Sequence, residues 1–116
     1  DQRFIRFEEG VQVVKLLLQS DEPVAFDGAY FHLEDAILNP RPGRKGGPPI
    51  VIGGNGEKRT MPLAAKYADE WNAVFVTPER FETLSAHLDN GGTTAIATAA
   101  GFTDTDRDAA NRIGAW

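Results

Sequence analysis

The sequence predicts an α/β fold built on a parallel sheet, and three observations in its second half carry that prediction. Ile50, Val51 and Ile52 form a continuous β-branched run with prolines before it and glycines after it, the pattern of a strand buried on both faces. Residues 71–76 form a second apolar strand, and a stretch with helical content, residues 60–67, lies between the two. Thr77-Pro78-Glu79 then opens another helix, with threonine as N-cap, proline at the first helical position and an acid in the first turn. Strand, glycine loop, helix, strand, helix is a βαβα unit. Strands 50–52 and 71–76 are therefore expected to be adjacent and parallel, joined by a right-handed crossover.

From the start of the chain, Phe4, Phe7, Val11, Val14 and Leu17 or Leu18 fall at helical spacing, with Arg3, Arg6, Glu8, Glu9, Gln12 and Lys15 on the other face. This predicts an amphipathic helix over residues 2–19, ended by Asp21-Glu22-Pro23. No capping residue or strand leads into it, so the expectation is that Asp1 lies inside something longer. In residues 24–33 two apolar segments flank Asp27-Gly28, a strong hairpin signal that calls for positive φ at the glycine. A lone hairpin packs on something larger, so this one is expected to protrude from the main body. His32, with no carboxylate or second histidine at useful spacing, reads as a surface or packing residue, and Glu34-Asp35 as solvated acids. Residues 39–49, with four prolines and three glycines, are a loop that returns the chain to the body, and its Arg41, Arg44, Lys45 cluster reads as solvated.

The stretch 53–56, Gly-Gly-Asn-Gly, allows two readings. Glycines without Cβ atoms let a ligand approach backbone N–H groups, and the following helix adds unpaired donors and the positive end of its dipole, which suits a phosphate. Alternatively the stretch is only a tight strand-to-helix connection. Neither Gly-x-Gly-x-x-Gly nor Gly-x-x-x-x-Gly-Lys-Ser/Thr is matched. The helix that follows sets Met61, Ala64, Ala65 and Ala68 on one side and tolerates Pro62 only near its first turn, and small alanines let it lie close to a sheet. Phe81, Leu84 and Leu88 mark the core stripe of the next helix. Beyond Asp89 the pattern weakens: residues 91–94 read as loop, 95–100 show no firm period, and 103–113 fit a short capped helix ending at Gly114.

With 116 residues, the chain has room for one small core and is short for any barrel, which takes about 250 residues. A net charge of −5 argues against a nucleic-acid or anionic-membrane surface. With no cysteine, disulfides and thiolate chemistry are excluded. The absence of a signal peptide or a long apolar run makes the cytoplasm the expected location. No metal-ligand cluster is legible.

Five motifs in order carry a resemblance. They are Arg3-x-x-Arg6-x-Glu8-Glu9, Phe26-Asp27-Gly28-x-Tyr30-Phe31, Pro40-x-Pro42, Pro49-Ile50-x-Ile52-Gly53-Gly54-x-Gly56, and Ala64-Ala65-x-Tyr67-Ala68-Asp69-x-Trp71-Asn72. Residues 1–88 resemble the C-terminal portion of the luciferase-like monooxygenase family, in its branch of coenzyme F-420-dependent oxidoreductases. The resemblance implies a partial TIM-like (β/α) barrel with an inserted β-hairpin, and it leaves residues 89–116 as an unassigned tail. It makes Gly53, Gly54, Asn55 and Gly56 the backbone cradle for the phosphate of coenzyme F-420 or FMN, and Thr77 a hydroxyl donor to the same group. Lys58 and Arg59 add positive potential nearby or face solvent, while Trp71 and Asn72 pack and hydrogen-bond rather than touch the flavin ring. Glu70 stands where the family commonly has glycine.

The early strands, the ring pocket and the proton-handling side chains of the family have no counterpart here, so no catalytic residue is named and the chain alone is expected to be inactive. The implied partners are a small-molecule cofactor and substrate, with no nucleic acid or membrane. The alternatives are a small α/β binding module, or an inactive remnant whose open sheet edges favour homo-oligomers.

Overall fold

A computed structural model describes residues 2–88 and 92–97, which fall into two compact units that divide between Pro48 and Pro49. The predicted helix 103–113 lies outside the described residues.

The first unit is one helix and one hairpin. Helix α1 spans Gln2–Gln19, as its periodicity predicts. Its stripe is narrower than expected: Val11 is buried, but Phe7 and Val14 are exposed, together with Ile5 and Leu16. A helix of 18 residues is about 27 Å long, and a two-stranded hairpin covers only part of one side of it. Strands β1 (Val24–Asp27) and β2 (His32–Ala36) pair antiparallel and make a sheet of two strands, so the hairpin is not embedded in a larger one.

The turn differs from the two-residue Asp27-Gly28 reading. Asp27 pairs with His32 inside the ladder, and Gly28, Ala29, Tyr30 and Phe31 form the loop, closed by Gly28 N–H donating to the Phe31 carbonyl at 2.9 Å. Gly28 is not in the left-handed region; what it requires is space, because a Cβ there would collide with the Glu9 carboxylate and the Phe26 ring. The register slips by one between Val24 and Phe26, and Asp35 takes up the extra residue at φ +47°, a conformation that aspartate tolerates better than most.

Two side chains fasten this unit: Glu9, read from sequence only as part of the polar face of α1, and Arg41, read as solvated. The Glu9 carboxylate accepts from the N–H groups of Ala29 (2.9 Å), Tyr30 (2.9 Å) and Phe31 (3.2 Å), so a helix side chain caps the hairpin loop. The Arg41 guanidinium, half-buried rather than solvated, donates to the carbonyls of Leu17 (2.8 Å), Leu18 (3.1 Å) and Leu38 (3.2 Å) and pairs with Asp21. Helix α1 has no basic residue in its last turn, and Arg41 brings a cation to those orphan carbonyls from the proline-rich loop. His32, read from sequence as lacking a carboxylate, has Nδ1 2.7 Å from Asp27 Oδ1 across the hairpin, at the surface.

The second unit is an open parallel sheet of order β3-β4-β5, made of Val51–Gly53, Glu70–Ala73 and Thr94–Ala97. β3 and β4 are adjacent and parallel and are connected through helix α2 (Thr60–Tyr67), as the βαβ reading requires. β4 stops at Ala73 instead of reaching Val76. β5 begins at Thr94, the last residue of the stretch read as loop, runs into the stretch 95–100 that was read as lacking a period, and adds to β4 in parallel. A strand of threonine and alanine is set by its neighbour's backbone rather than by side-chain pattern. Helix α3 (Pro78–Ser85) and a 3-10 turn (Ala86–Leu88) follow β4. The described residues are α/β in class and form no closed barrel.

Ile52, Trp71 and Ala73 alternate onto the sheet face that is covered by Met61, Ala64, Phe81, Leu84 and Leu88. Trp71, Met61 and Leu84 are fully buried, each worth about 1.5–3 kcal/mol relative to exposure. Trp71 stacks on Phe81 with ring centroids 5.6 Å apart. Asp69 organises the amino edge. Its carboxylate accepts from Ile50 N–H at 2.8 Å, its own N–H donates to the Ile50 carbonyl, and its carbonyl accepts from Thr94 N–H, so one residue sets the start of all three strands. The Thr93 hydroxyl lies 3.2 and 3.0 Å from the carbonyls of Ala64 and Ala68 at the end of α2.

Candidate cofactor site at the carboxyl edge of the sheet

Because β3 and β4 are parallel, the loops that follow them leave the sheet at the same edge. The first is residues 54–59, the second residues 74–77. Open parallel sheets bind ligands at this carboxyl edge, where loops and helix N-termini converge.

Gly53 ends β3 with open space beside it; a Cβ would meet only the Asn72 carbonyl, at 3.8 Å. Gly54 has φ +119°, where only glycine is comfortable, and its N–H donates to the Asn72 carbonyl at 3.2 Å. The Gly54 carbonyl accepts from Trp71 Nε1 at 2.7 Å, so the buried indole holds the glycine turn from beneath. This is the packing role read for Trp71. Asn55 turns its side chain onto the second loop: Nδ2 donates to the Val74 carbonyl at 2.8 Å and Oδ1 accepts from Val74 N–H at 3.4 Å. Gly56 is exposed, and its carbonyl accepts from Met61 N–H at 3.0 Å as α2 begins. The backbone N–H groups of Asn55, Gly56 and Glu57 are given to no backbone carbonyl among the described residues.

Thr77 caps α3, its hydroxyl oxygen accepting from Arg80 N–H at 3.2 Å, which leaves the hydroxyl proton to donate elsewhere. Lys58 and Arg59 are exposed in the turn before α2. Arg80, in the first turn of α3, pairs through its guanidinium with Glu57 of the first loop. Sequence reasoning did not single out Arg80, because its partner lies 23 residues away and neither residue stands in a motif.

Phe75 was also missed. It has φ +52° and is the most exposed large hydrophobic of the described residues, at 76%. The signal in the sequence was an aromatic residue between a strand and an N-cap, which reads simply as more strand. Among the described residues no group of three or more histidine, cysteine, aspartate or glutamate side chains is arranged to hold a metal ion, and no helix is long and apolar enough to cross a membrane.

The arrangement fits a phosphate group. The glycines keep side chains out of the turn, the unspent N–H groups supply donors, Asn55 and Glu57 are occupied in bracing, and α2 begins directly behind. These features define a parallel α/β protein with a glycine turn, braced by Trp71 and Asn55, at the carboxyl edge of its sheet.

The family model for luciferase-like monooxygenases matches residues 1–107, and the chain belongs to that family. Among solved structures it is similar to an F420-dependent secondary alcohol dehydrogenase in complex with an F420-acetone adduct, at 28% identity and a TM-score of 0.63. The match covers 82% of this chain and 31% of that one, so the chain spans about a third of that enzyme's length. No curated protein matches the chain.

Proposed function

We propose that this chain supplies the cofactor-phosphate loop of a flavin- or F-420-dependent oxidoreductase of the luciferase-like family. The observation that carries the reading is the glycine turn held at the carboxyl edge by Trp71 and Asn55, in which the N–H groups of Asn55, Gly56 and Glu57 are given to no backbone carbonyl among the described residues. The F420 adduct held by the similar dehydrogenase supports a deazaflavin as the cofactor, with FMN the alternative of the same chemistry. In this reading the loop N–H groups bind the phosphate, and the Thr77 hydroxyl donates to it while still capping α3. Hydride transfer belongs to the bound cofactor; the residues of this chain position it.

Titration of the chain with coenzyme F-420 and with FMN, followed by cofactor fluorescence, tests the reading. Saturable binding that inorganic phosphate competes away supports it. Binding that phosphate leaves untouched moves the site elsewhere.

A further inference from the structure

We infer that Phe75 is a specificity-determining residue of this site: its ring packs against the organic part of the phosphate ester whose phosphate the residues 53–56 loop takes. The inference rests on the proposed function.

A bulky aromatic residue with φ in the left-handed region is disfavoured by its own Cβ, and such a conformation persists only where the surroundings impose it. Here they do. Asn55 fixes both polar groups of Val74 immediately before Phe75, and Thr77 fixes the start of α3 two residues after it. Packing among the described residues does not account for a phenylalanine at this point, since 76% of the residue is exposed. Glycine or asparagine would occupy the same backbone at lower cost.

The location supplies the account that packing does not. Phe75 leaves the carboxyl end of β4, the strand beside β3, in the loop that Asn55 ties to the glycine turn. A ligand whose phosphate sits on the N–H groups of that turn extends over the same edge. An apolar ring there favours an ester carrying a hydrocarbon chain or a flat ring over inorganic phosphate.

The test compares the wild-type chain with Phe75→Asn and Phe75→Leu, measuring affinity for FMN and for inorganic phosphate by calorimetry, and thermal midpoint by circular dichroism. Phe75→Asn relieves the backbone and removes the apolar ring. Its midpoint should rise and its FMN affinity fall at least about tenfold, the scale of losing one large apolar contact. Its phosphate affinity should stay within about twofold, well inside the tenfold that 1.4 kcal/mol represents. Phe75→Leu keeps an apolar side chain and should retain most of the FMN affinity. Wild-type FMN affinity in Phe75→Asn, or an equal loss of FMN and phosphate, overturns the inference and leaves the phosphate loop standing. So does a wild-type chain that binds phosphate but not FMN. A wild-type chain that binds neither overturns the proposed function and this inference together.

Discussion

The side-chain amide of Asn55 satisfies both backbone polar groups of Val74, donating to its carbonyl at 2.8 Å and accepting from its N–H at 3.4 Å. One residue of the first loop therefore stands in for a strand partner of the second, at the point where β4 has ended. Replacing it by alanine orphans two half-buried backbone groups. Asn55→Ala should destabilise the chain by about 1–3 kcal/mol, the cost of leaving such groups unpaired. Urea denaturation measures this; an unchanged midpoint would mean that water substitutes for the amide.

Beneath the same turn, the Trp71 indole combines a buried ring with a single hydrogen bond to the Gly54 carbonyl. Trp71→Phe keeps most of the apolar contact with Phe81 but removes the donor and leaves a small void. A loss of about 1–3 kcal/mol is expected from these two effects. If the turn holds the cofactor phosphate, cofactor affinity should fall too, because the turn is no longer held from below. Equal stability of the two proteins would remove Trp71 from this role.

The second unit was legible where side-chain pattern and backbone chemistry agree. Ile50 to Ile52, the glycines and Thr77-Pro78-Glu79 each carry a local reason for their structure, and the parallel pairing of β3 and β4 follows from their order. β5 was not legible, since Thr94-Ala95-Ile96-Ala97 has too little side-chain signal and becomes a strand by pairing with β4. In the first unit the helix was legible. Its fastenings were not, because Glu9 acts on N–H groups about 20 residues away and Arg41 on carbonyls at a similar distance. At the candidate site the glycine turn was visible as a motif. The braces Asn55 to Val74 and Glu57 to Arg80, and the left-handed Phe75, depend on which loops the fold brings to one edge.

Glu9 gives the first unit a pH dependence of definite sign. Desolvation raises its carboxyl pKa, but the N–H bonds from Tyr30, Ala29 and Phe31 and the nearby His32 charge outweigh that and hold it below its ordinary value of 4.5. A carboxyl with a depressed folded-state pKa stabilises fully above its unfolded value, and the contribution is lost as pH falls through the folded one. Amide exchange at Ala29, Tyr30 and Phe31, corrected for intrinsic rates, should therefore lose protection below pH 4.5. Glu9→Gln should show reduced protection already at neutral pH and lose this acid step. A wild-type acid step that persists in Glu9→Gln would assign it to another group.

Arg41 should not be replaceable by lysine. The guanidinium reaches three carbonyls and Asp21 at once, whereas an ammonium has neither the planar fork nor the span. Arg41→Lys should cost about 1–3 kcal/mol, on the scale of hydrogen bonds made by a charged donor, and fray the end of α1. Amide exchange near Ser20, whose N–H donates to the Leu16 carbonyl, would report it. Unchanged exchange there would show that Arg41 is dispensable.

If the glycine turn is a phosphate cradle, its affinity comes from backbone N–H groups, and losing a side chain should matter less than losing access. Gly54→Asp places a Cβ 3.3 Å from Thr60 Cγ2 on a backbone with φ +119° and adds a negative charge where the phosphate would sit. It should abolish binding of F-420 and FMN. Because this substitution also strains the turn, its melting curve must be measured alongside, and Gly53→Ala serves as the companion: there a Cβ meets only an ordinary contact at 3.8 Å, so folding should survive. Lys58→Ala removes an exposed charge and should weaken binding by no more than about 1 kcal/mol. Fluorescence titration of the three variants separates the possibilities. Tight binding that survives a folded Gly54→Asp would exclude the turn as the site, and a loss in Lys58→Ala as large as that in Gly54→Asp would transfer the affinity from backbone to side chain.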